Sequence, residues 1–314
     1  RQTLLRRVTY DLTGLPPTRE EIEAFLADVS PEAFEAVVDR LLRSPRYGER
    51  WGRHWLDVAR FAESAAHDGN NGYLFAWRYR DYVIKSFNDD KPYNEFVVEQ
   101  LAGDLFPVTG DAEVDLSRQV ATGFLQIGPK PVVMRDKQQM LLEIADEQIH
   151  ATGVAFMGLT LGCARCHDHK FDPVPTSDYY ALAGIFLSTK IMHDFAADSK
   201  WIEPEFEMPD GQKIKVMAVR DHDEPRNARV HVRGRYKMLG EEVPRRVLQI
   251  VPGDSPPTID GSSSGRLELA RWLARDDHPL TPRVMVNRIW QKHFTQGLSR
   301  SVEDFGARGD EPSH

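Results

Sequence analysis

The stretch "LTGLPPTREEIEAFLADVSPEAFEAVVDRLLRSPRYGERWGRHWLDVARF", residues 12–61, decides the fold because it contains three helix starts in close succession. Thr18 and Glu21 have the spacing of a capping box, and Ser30 and Ser44 each precede a proline. Apolar residues recur at three- and four-residue intervals after each start. The stretch therefore predicts three consecutive helices.

The rest of the chain continues this helical pattern and then changes. Further helices are expected at residues 73–88, 92–103, 114–124 and 138–158, and Thr176 is expected to cap another. The β-branched runs "KIKVMAVRD", "ARVHVRGRY" and "RRVLQIV" predict a small antiparallel sheet. In the second run the alternation places Val230 and Val232 inside and His231 in water.

These patterns predict a mainly α protein, with a multi-helical domain, a small β-containing segment and a truncated second helical domain. The expected boundaries are a helical domain at 1–200, a β-containing segment at 201–251, a linker at 252–265 and the start of a second domain at 266–314. The linker is indicated by the composition of "PGDSPPTIDGSSSG".

Composition limits the classes of function. The net charge of -8 argues against nonspecific nucleic-acid binding, because phosphates require a basic face. No apolar run approaches the roughly 18 residues of a transmembrane helix. The stretch that begins at Arg1 has an amphipathic helix pattern, so no signal peptide is expected in this chain.

The segment "CARCHDHKFDP", residues 163–173, contains both cysteines of the chain. Cys163, Cys166 and His167 form the C-x-x-C-H pattern of covalent haem c attachment. Two thiols at this spacing can each join one vinyl group of a porphyrin, and the adjacent imidazole can reach the iron. The motif therefore predicts a haem c protein in electron transfer, with His167 as the axial ligand.

Two other readings remain open. His167, His169 and Asp172 offer imidazole and carboxylate ligands for a divalent metal ion, which would suit a metal-dependent hydrolase acting on extracellular polymers. Alternatively, Cys163 and Cys166 form a local disulfide in a noncatalytic binding module.

A haem would also need apolar cover and a sixth ligand. The helical part contains many aromatic side chains, each more consistent with ordinary core than with haem contact. These are Trp51, Trp55, Phe61, Phe75, Trp77, Phe156, Phe171, Tyr179, Tyr180 and Phe186. Spacing does not distinguish the sixth-ligand candidates, which are Met157, His150, His54, Met192 and His193.

Polar residues outside the motif have two readings each. Asp104 follows a glycine near a helix end, a position that favours a turn carboxylate. The alternative is that its carboxylate is a ligand in a site. Asn287 and Arg288 form either a polar site or intramolecular hydrogen bonds to a neighbouring domain.

Several long stretches resemble a known family. "RRVTYDLTGLPPT", "SPRYGERWGRHWLDVARFAES", "DKPYNEFVVEQLAGDL" and "GLTLGCARCHDHKFDPVPTSDYYALAGIF" are similar to the second cytochrome-like domain of large proteins abundant in planctomycetes and related bacteria. "VHVRGRYKMLGEEVPRR" and "RLELARWLARDDHPLTPRVMVNRIWQKHFTQGLSRSVEDFGARGDEPSH" resemble the linker and the opening of the planctomycete-specific domain that follows it.

The resemblance implies an exported protein, periplasmic or associated with the cell surface. Its implied partners are a redox protein or a fused cytochrome domain. The haem c hypothesis adds that the electrons come from the oxidation of a carbohydrate or another organic substrate. Cys163, Cys166 and His167 match the haem-attachment positions of the family. His169, Lys170, Phe171, Asp172 and Pro173 match its extended signature.

Overall fold

The computed structural model describes residues 1–66, 70–193, 200–251 and 256–314. The chain divides into two compact units, the first formed by Arg1–Val58 with Arg80–Pro92 and the second by Ala59–Tyr79 with Tyr93–His314. Helices dominate and the strands are short, so the mainly α fold class is confirmed. In the described ranges, no helix combines the length and the apolar character that a membrane crossing requires.

The helices of the first unit follow the start signals in the sequence. They are α1 (Gln2–Thr13), α2 (Arg19–Ala27), α3 (Ala33–Leu42), α4 (Pro45–Val58) and α5 (Ala76–Asn88), whose first residues belong to the second unit. Thr18 and Glu21 form the predicted capping box of α2, and α4 begins at Pro45. The start expected near Ser30 is displaced, since α3 begins at Ala33 after Glu32.

A core of apolar side chains holds α1 to α3 together. Leu5 and Leu12 of α1 meet Phe25 of α2 and Val37 and Leu41 of α3. These side chains are at most 9% exposed. The three- and four-residue apolar spacing of the sequence thus produces one buried stripe on each helix.

The second unit contains the other helices and all the strands of the described residues. Its helices are α6 (Tyr93–Ala102), α7 (Ala112–Ala121), α8 (Gly123–Gln126), α9 (Lys137–Thr152), α10 (Thr176–Leu187), α11 (Arg266–Leu273) and α12 (Thr281–Phe294). The helix expected at 114–124 is divided into α7 and α8 at Thr122. The helix expected at 138–158 ends as α9 at Thr152 and continues as a π-helical turn, Gly153–Met157.

Helix α10 lies at the centre of this unit. Its residues from Asp178 to Phe186 are all buried, and it packs against α9 and the 3-10 turn Gly162–Arg165. Thr176 is the first helical residue and not the cap, because the N-cap position is Pro175. The backbone N–H of Thr176 instead donates to Asp168 Oδ1 at 2.8 Å.

The β-containing segment forms three two-stranded antiparallel ribbons where a single sheet was expected. The strands are β1 (Thr189–Lys190), β2 (Glu205–Glu207), β3 (Lys213–Lys215), β4 (Arg220–Asp221), β5 (Ala228–His231) and β6 (Leu239–Val243), paired β1 with β4, β2 with β3 and β5 with β6. The run at 245–251 forms no strand in the described structure, and residues 252–255 of the predicted linker lie outside the described residues.

A register shift in β5 reverses its predicted faces. The pairing with β6 is irregular between Arg229 and His231. His231, the last residue of β5, is buried at 7% exposure, and Val232, which already lies in the turn after the strand, is 41% exposed, the opposite of the expectation from strict alternation. His231 packs its ring on Tyr180 of α10 at a centroid distance of 5.1 Å.

Buried ionic contacts join distant parts of the second unit. Arg266 of α11 is fully buried and donates to both carboxylate oxygens of Asp104, at 2.7 and 2.8 Å, and to Asp221 of β4 at 2.6 Å. Asp104 is therefore an ion-pair partner and not a simple turn carboxylate. The network fixes α11 to the end of α6 and to β4.

Two polar residues of α12 also make internal hydrogen bonds. Arg288 donates to the carbonyls of Val154 and Ala155 in the π-helical turn. Asn287 exchanges hydrogen bonds with the backbone of Ser299 at 3.0 and 2.9 Å. Arg288 thus bonds to the preceding predicted domain, as expected, whereas Asn287 bonds within its own segment.

Candidate haem-attachment site

The cysteine motif begins on the 3-10 turn Gly162–Arg165. Ala164 is fully buried and anchors the turn, whereas the neighbouring Cys163 and Cys166 are exposed free thiols. Side chains three residues apart in a 3-10 turn lie on the same side. Cys163 lies in the turn and Cys166 at its C-terminal cap, and both thiols are at the surface.

Arg165 lies between the two cysteines and binds the turn to helices α9 and α10. Its guanidinium contacts two carboxylates of α9, Glu143 at 2.9 Å and Asp146 at 3.2 Å. Its backbone carbonyl accepts from the Tyr180 hydroxyl of α10 at 2.9 Å. The hydrogen bond to Glu143 raises the pKa of Arg165, and burial raises the pKa of Tyr180 to about 12. The turn is therefore held at both its side chain and its backbone.

His167 has one ring nitrogen committed and the other available. Its Nδ1 lies 2.7 Å from the backbone carbonyl of Asp168. Since a carbonyl oxygen can only accept, Nδ1 is the donor, and in the neutral ring Nε2 keeps its lone pair. The side chain is exposed, so Nε2 is the nitrogen that can bind a metal.

His169 differs from His167 in the role of its ring nitrogen Nδ1. Its Nδ1 accepts the backbone N–H groups of Asp172, at 2.9 Å, and Phe171, at 3.4 Å. The His169 side chain is only 6% exposed. Its ring therefore stabilises the loop that follows the cysteines.

The two aspartates of the motif are also committed to backbone groups. Asp168 accepts from the N–H of Thr176 at the start of α10, and this hydrogen bond lowers the pKa of Asp168. Asp172 accepts from the N–H of Ala307 at 2.6 Å. A Cβ on Gly306 would stand 2.5 Å from both carboxylate oxygens of Asp172, so the C-terminal chain can approach this closely only because residue 306 is glycine.

The alternative metal site of His167, His169 and Asp172 is not assembled. His169 Nδ1 and Asp172 Oδ2 lie 3.3 Å apart, but the ring of His167 turns to the backbone of Asp168. Across the residues that the structure describes, no group of three or more His, Cys, Asp or Glu side chains could hold a metal ion. The physical reason is that His169 and Asp172 already bind backbone N–H groups.

The aromatic residues near the motif mostly form core, as expected for ordinary packing. Tyr179, Tyr180, Phe156 and Phe186 are buried, and Trp51 and Trp55 belong to the first unit. Phe171, in contrast, is 47% exposed. A group attached to the cysteines would thus sit at the surface and not in an aromatic pocket formed by these side chains.

The sixth-ligand candidates differ in their accessibility. Met157 and Met192 are buried, at 1% and 5% exposure, whereas His150 and His193 are exposed. His54 belongs to the first unit. Their positions single out no sixth ligand.

One element of the site was missed in the sequence. The loop between β5 and β6 contains Arg233 and Gly234, both left-handed with φ of 56° and 71°. A Cβ on Gly234 would lie 2.4 Å from the Cys166 Sγ. The available signal was the isolated glycine within a strand-like run, which is typical of a close backbone approach.

Replacing Gly234 with alanine is expected to lower the free energy of unfolding by about 2 kcal/mol, because the added methyl group meets the Cys166 Sγ and the left-handed backbone disfavours alanine. Urea unfolding checks this value. In a Cys166→Ala background the clash with the sulfur should disappear. The decrease in the free energy of unfolding caused by Gly234→Ala should then fall by about half. Gly240→Ala on the same hairpin has room for its methyl group and serves as the control. Equal losses in both backgrounds would contradict the assigned contact.

Two family models match the chain. The first, PSCyt2, described as a protein of unknown function (DUF1549), matches residues 1–191. The second, PSD1, described as a protein of unknown function (DUF1553), matches residues 265–314. No curated protein and no solved structure matches the chain significantly. The two matched segments contain the cysteine motif and the C-terminal chain that contacts Asp172, respectively.

Proposed function

The chain belongs to the PSCyt2 family, whose name suggests a cytochrome-like domain, and on that premise we propose that its cysteine motif carries a covalent haem c used in electron transfer. The observation that carries the proposal is that Cys163, in the 3-10 turn, and Cys166, at its C-terminal cap, are exposed free thiols, and that the adjacent exposed His167 has only Nδ1 engaged. The donor set of two thiols and one imidazole fits haem c.

Each residue of the turn has a defined task in this proposal. Cys163 and Cys166 would hold the haem through thioether bonds, each formed by addition of an S–H group across one vinyl double bond, with sulfur on one carbon and the proton on the other. His167 would bind the iron through Nε2, and the hydrogen bond from Nδ1 to the Asp168 carbonyl fixes the ring and increases its basicity. Arg165 holds the turn against α9. A haem bound here supplies a one-electron iron couple.

The proposed setting is the periplasm or the cell surface, where the protein would pass on electrons from the oxidation of a carbohydrate or another organic compound. The hydrolase alternative is less well supported, because His169 and Asp172 are engaged in loop structure. The two cysteines are free thiols, so no observation favours the disulfide module.

Haem attachment is tested by expressing the chain with an export signal in a host that has the c-type maturation machinery. The expected result is a pyridine haemochrome spectrum with about one covalent haem per chain. Cys163→Ala with Cys166→Ala should abolish the covalent signal. His169→Gln should retain it, because the His169 ring binds backbone groups and no iron.

Either result of the haem-attachment experiment decides whether the proposal holds. A folded, colourless wild-type chain from this host would overturn the proposal. Metal analysis of that sample would then separate the hydrolase from the disulfide module, since only the hydrolase requires stoichiometric metal. Circular dichroism of each variant confirms that a loss of haem is not a loss of fold.

A further inference from the structure

A loop outside both matched segments reaches the cysteine motif. The hairpin β5–β6 spans Ala228–Val243, whereas the family models match residues 1–191 and 265–314. Its loop nevertheless contacts one of the two proposed attachment cysteines, because a Cβ on Gly234 would lie 2.4 Å from the Cys166 Sγ. The hairpin thus contributes a wall of the site that neither family model describes.

Contacts on both sides of this loop hold the hairpin beside the cysteine motif. Before the loop, the His231 ring packs on Tyr180 of α10 at a centroid distance of 5.1 Å, and the Tyr180 hydroxyl donates to the Arg165 carbonyl at 2.9 Å. After the loop, the Tyr236 hydroxyl donates to Asp136, the N-cap of α9. Helices α9 and α10 also hold Arg165, so the hairpin and the motif are fixed to the same two helices.

The loop is closed by its own backbone. The N–H of Val232 donates to the Met238 carbonyl at 2.9 Å, and the N–H of Met238 donates to the Arg235 carbonyl at 2.8 Å. Arg233 and Gly234 are consecutive left-handed residues, with φ of 56° and 71°. The position of Gly234 is therefore set by the hairpin itself and not by the cysteine beside it.

A side chain at position 234 would displace the sulfur and little else. A Cβ there would stand 3.7 Å from the Cys166 Cβ and 3.9 Å from its Cα, which are ordinary contact distances, but only 2.4 Å from its Sγ. The sulfur ends a short side chain that rotates among three staggered positions. Rotation of the Cys166 side chain is thus the least costly way to remove the clash. Glycine at position 234 permits the observed rotamer, in which one side of the sulfur is covered while the residue stays exposed.

We propose that Gly234 is a positioning residue for the thioether bond at Cys166, because it permits the rotamer in which the sulfur meets its vinyl group. The inference rests on the proposed haem, since two thiols and one imidazole must reach one rigid porphyrin at once. In that step the Cys166 S–H bond breaks, and its sulfur and proton go to the two carbons of one vinyl group, so no oxidant or reductant is consumed. A sulfur rotated to another staggered position no longer lies within bonding reach of that group.

The first test is thiol alkylation of the full chain without haem. In Gly234→Ala the displaced sulfur loses the cover of the hairpin, so iodoacetamide should alkylate Cys166 about threefold faster and Cys163 at an unchanged rate. Peptide mass mapping reports the two rates separately. The matched control is Gly211→Ala. Gly211 is also left-handed, with φ of 84°, but its added Cβ would meet nothing within 4 Å among the described residues, so neither rate should change.

The second test counts thioether bonds in the chain from the host with the c-type maturation machinery. At least about half of the Gly234→Ala chains should carry haem through Cys163 alone. Their Cys166 should then react with iodoacetamide after denaturation, and their pyridine haemochrome band should lie at the longer wavelength shown by Cys166→Ala, because one vinyl group stays conjugated. The wild type and Gly211→Ala should have both thiols blocked. Circular dichroism checks that each variant is folded.

Three results would overturn the role of Gly234. They are an unchanged alkylation rate of Cys166 in Gly234→Ala, two thioether bonds in the matured variant, or loss of haem from both cysteines in a folded variant. A colourless wild-type chain overturns the haem proposal itself, and with it any role of Gly234 in attachment. Because the alkylation assay does not use the haem, the two failures are distinguishable.

Discussion

Replacing Arg266 with methionine is expected to lower the free energy of unfolding by about 3–5 kcal/mol. Arg266 is fully buried and its charge is balanced by Asp104 and Asp221. Methionine fills a similar volume but leaves both carboxylates inside the protein without their cation. The uncompensated charges, and not the lost packing, account for most of the expected cost.

Urea unfolding of the Arg266→Met variant measures this effect. Arg271→Met is the matched control, because Arg271 lies on the same helix and is exposed, and it should change stability by less than about 0.5 kcal/mol. Adding Asp104→Leu and Asp221→Leu to the first variant should recover much of the loss. A loss no larger than that of the control would contradict the role of the network.

The stability of the protein is expected to rise by about 2 kcal/mol between about pH 7 and pH 9 through Lys130 alone. Lys130 is 1% exposed and lies 3.1 Å from both the Tyr73 hydroxyl and the Gly128 carbonyl. Burial lowers the pKa of its ammonium group from 10.5 to about 7. Above that pH the folded chain has released the proton that the unfolded chain still holds, so raising the pH favours the folded state.

The measurement is a series of urea unfolding curves across this pH range for the wild type and Lys130→Met. The rise attributed to Lys130 should be missing from the variant and present in Lys215→Met, in which an exposed lysine is replaced. His278, whose pKa burial lowers to about 4, titrates below the window and does not interfere. The same pH slope in all three proteins would show that Lys130 does not titrate as stated.

The helices were predictable because their signals are local. Thr18 and Glu21 form the expected capping box, and Pro45 begins α4. Helix α10 shows the limit of this reasoning, because its start is stabilised by Asp168, a residue eight positions earlier. No local pattern contains that contact.

The strands were less predictable, since their faces depend on pairing. Strict alternation placed His231 in water, but the irregular register between Arg229 and His231 turned this side chain onto Tyr180. The strand predicted from the hydrophobic run at 245–251 does not form, for a related reason. It is buried in part, with Val247 and Leu248 at 2% and 1% exposure, but it has no strand partner in the described structure.

The sequence predicted the candidate haem-binding residues of the site but not the residues that hold them in place. Spacing alone identified Cys163, Cys166 and His167 as candidates, and haem attachment to them stays a prediction. The contacts that hold the turn come from distant positions, such as Glu143 and Gly234. A sequence motif shows which side chains share one turn. The contacts from other elements that stabilise the turn depend on the tertiary fold.

The contact between Asp172 and the chain at Gly306 and Ala307 has an evolutionary consequence. It joins a residue of the PSCyt2 segment to residues of the PSD1 segment. A side chain at position 306 would have to be accompanied by a shorter residue at 172, so position 306 cannot change alone. An exchange of one segment between relatives is therefore expected to require compatible residues at this contact, which the stability of such a chimera would measure.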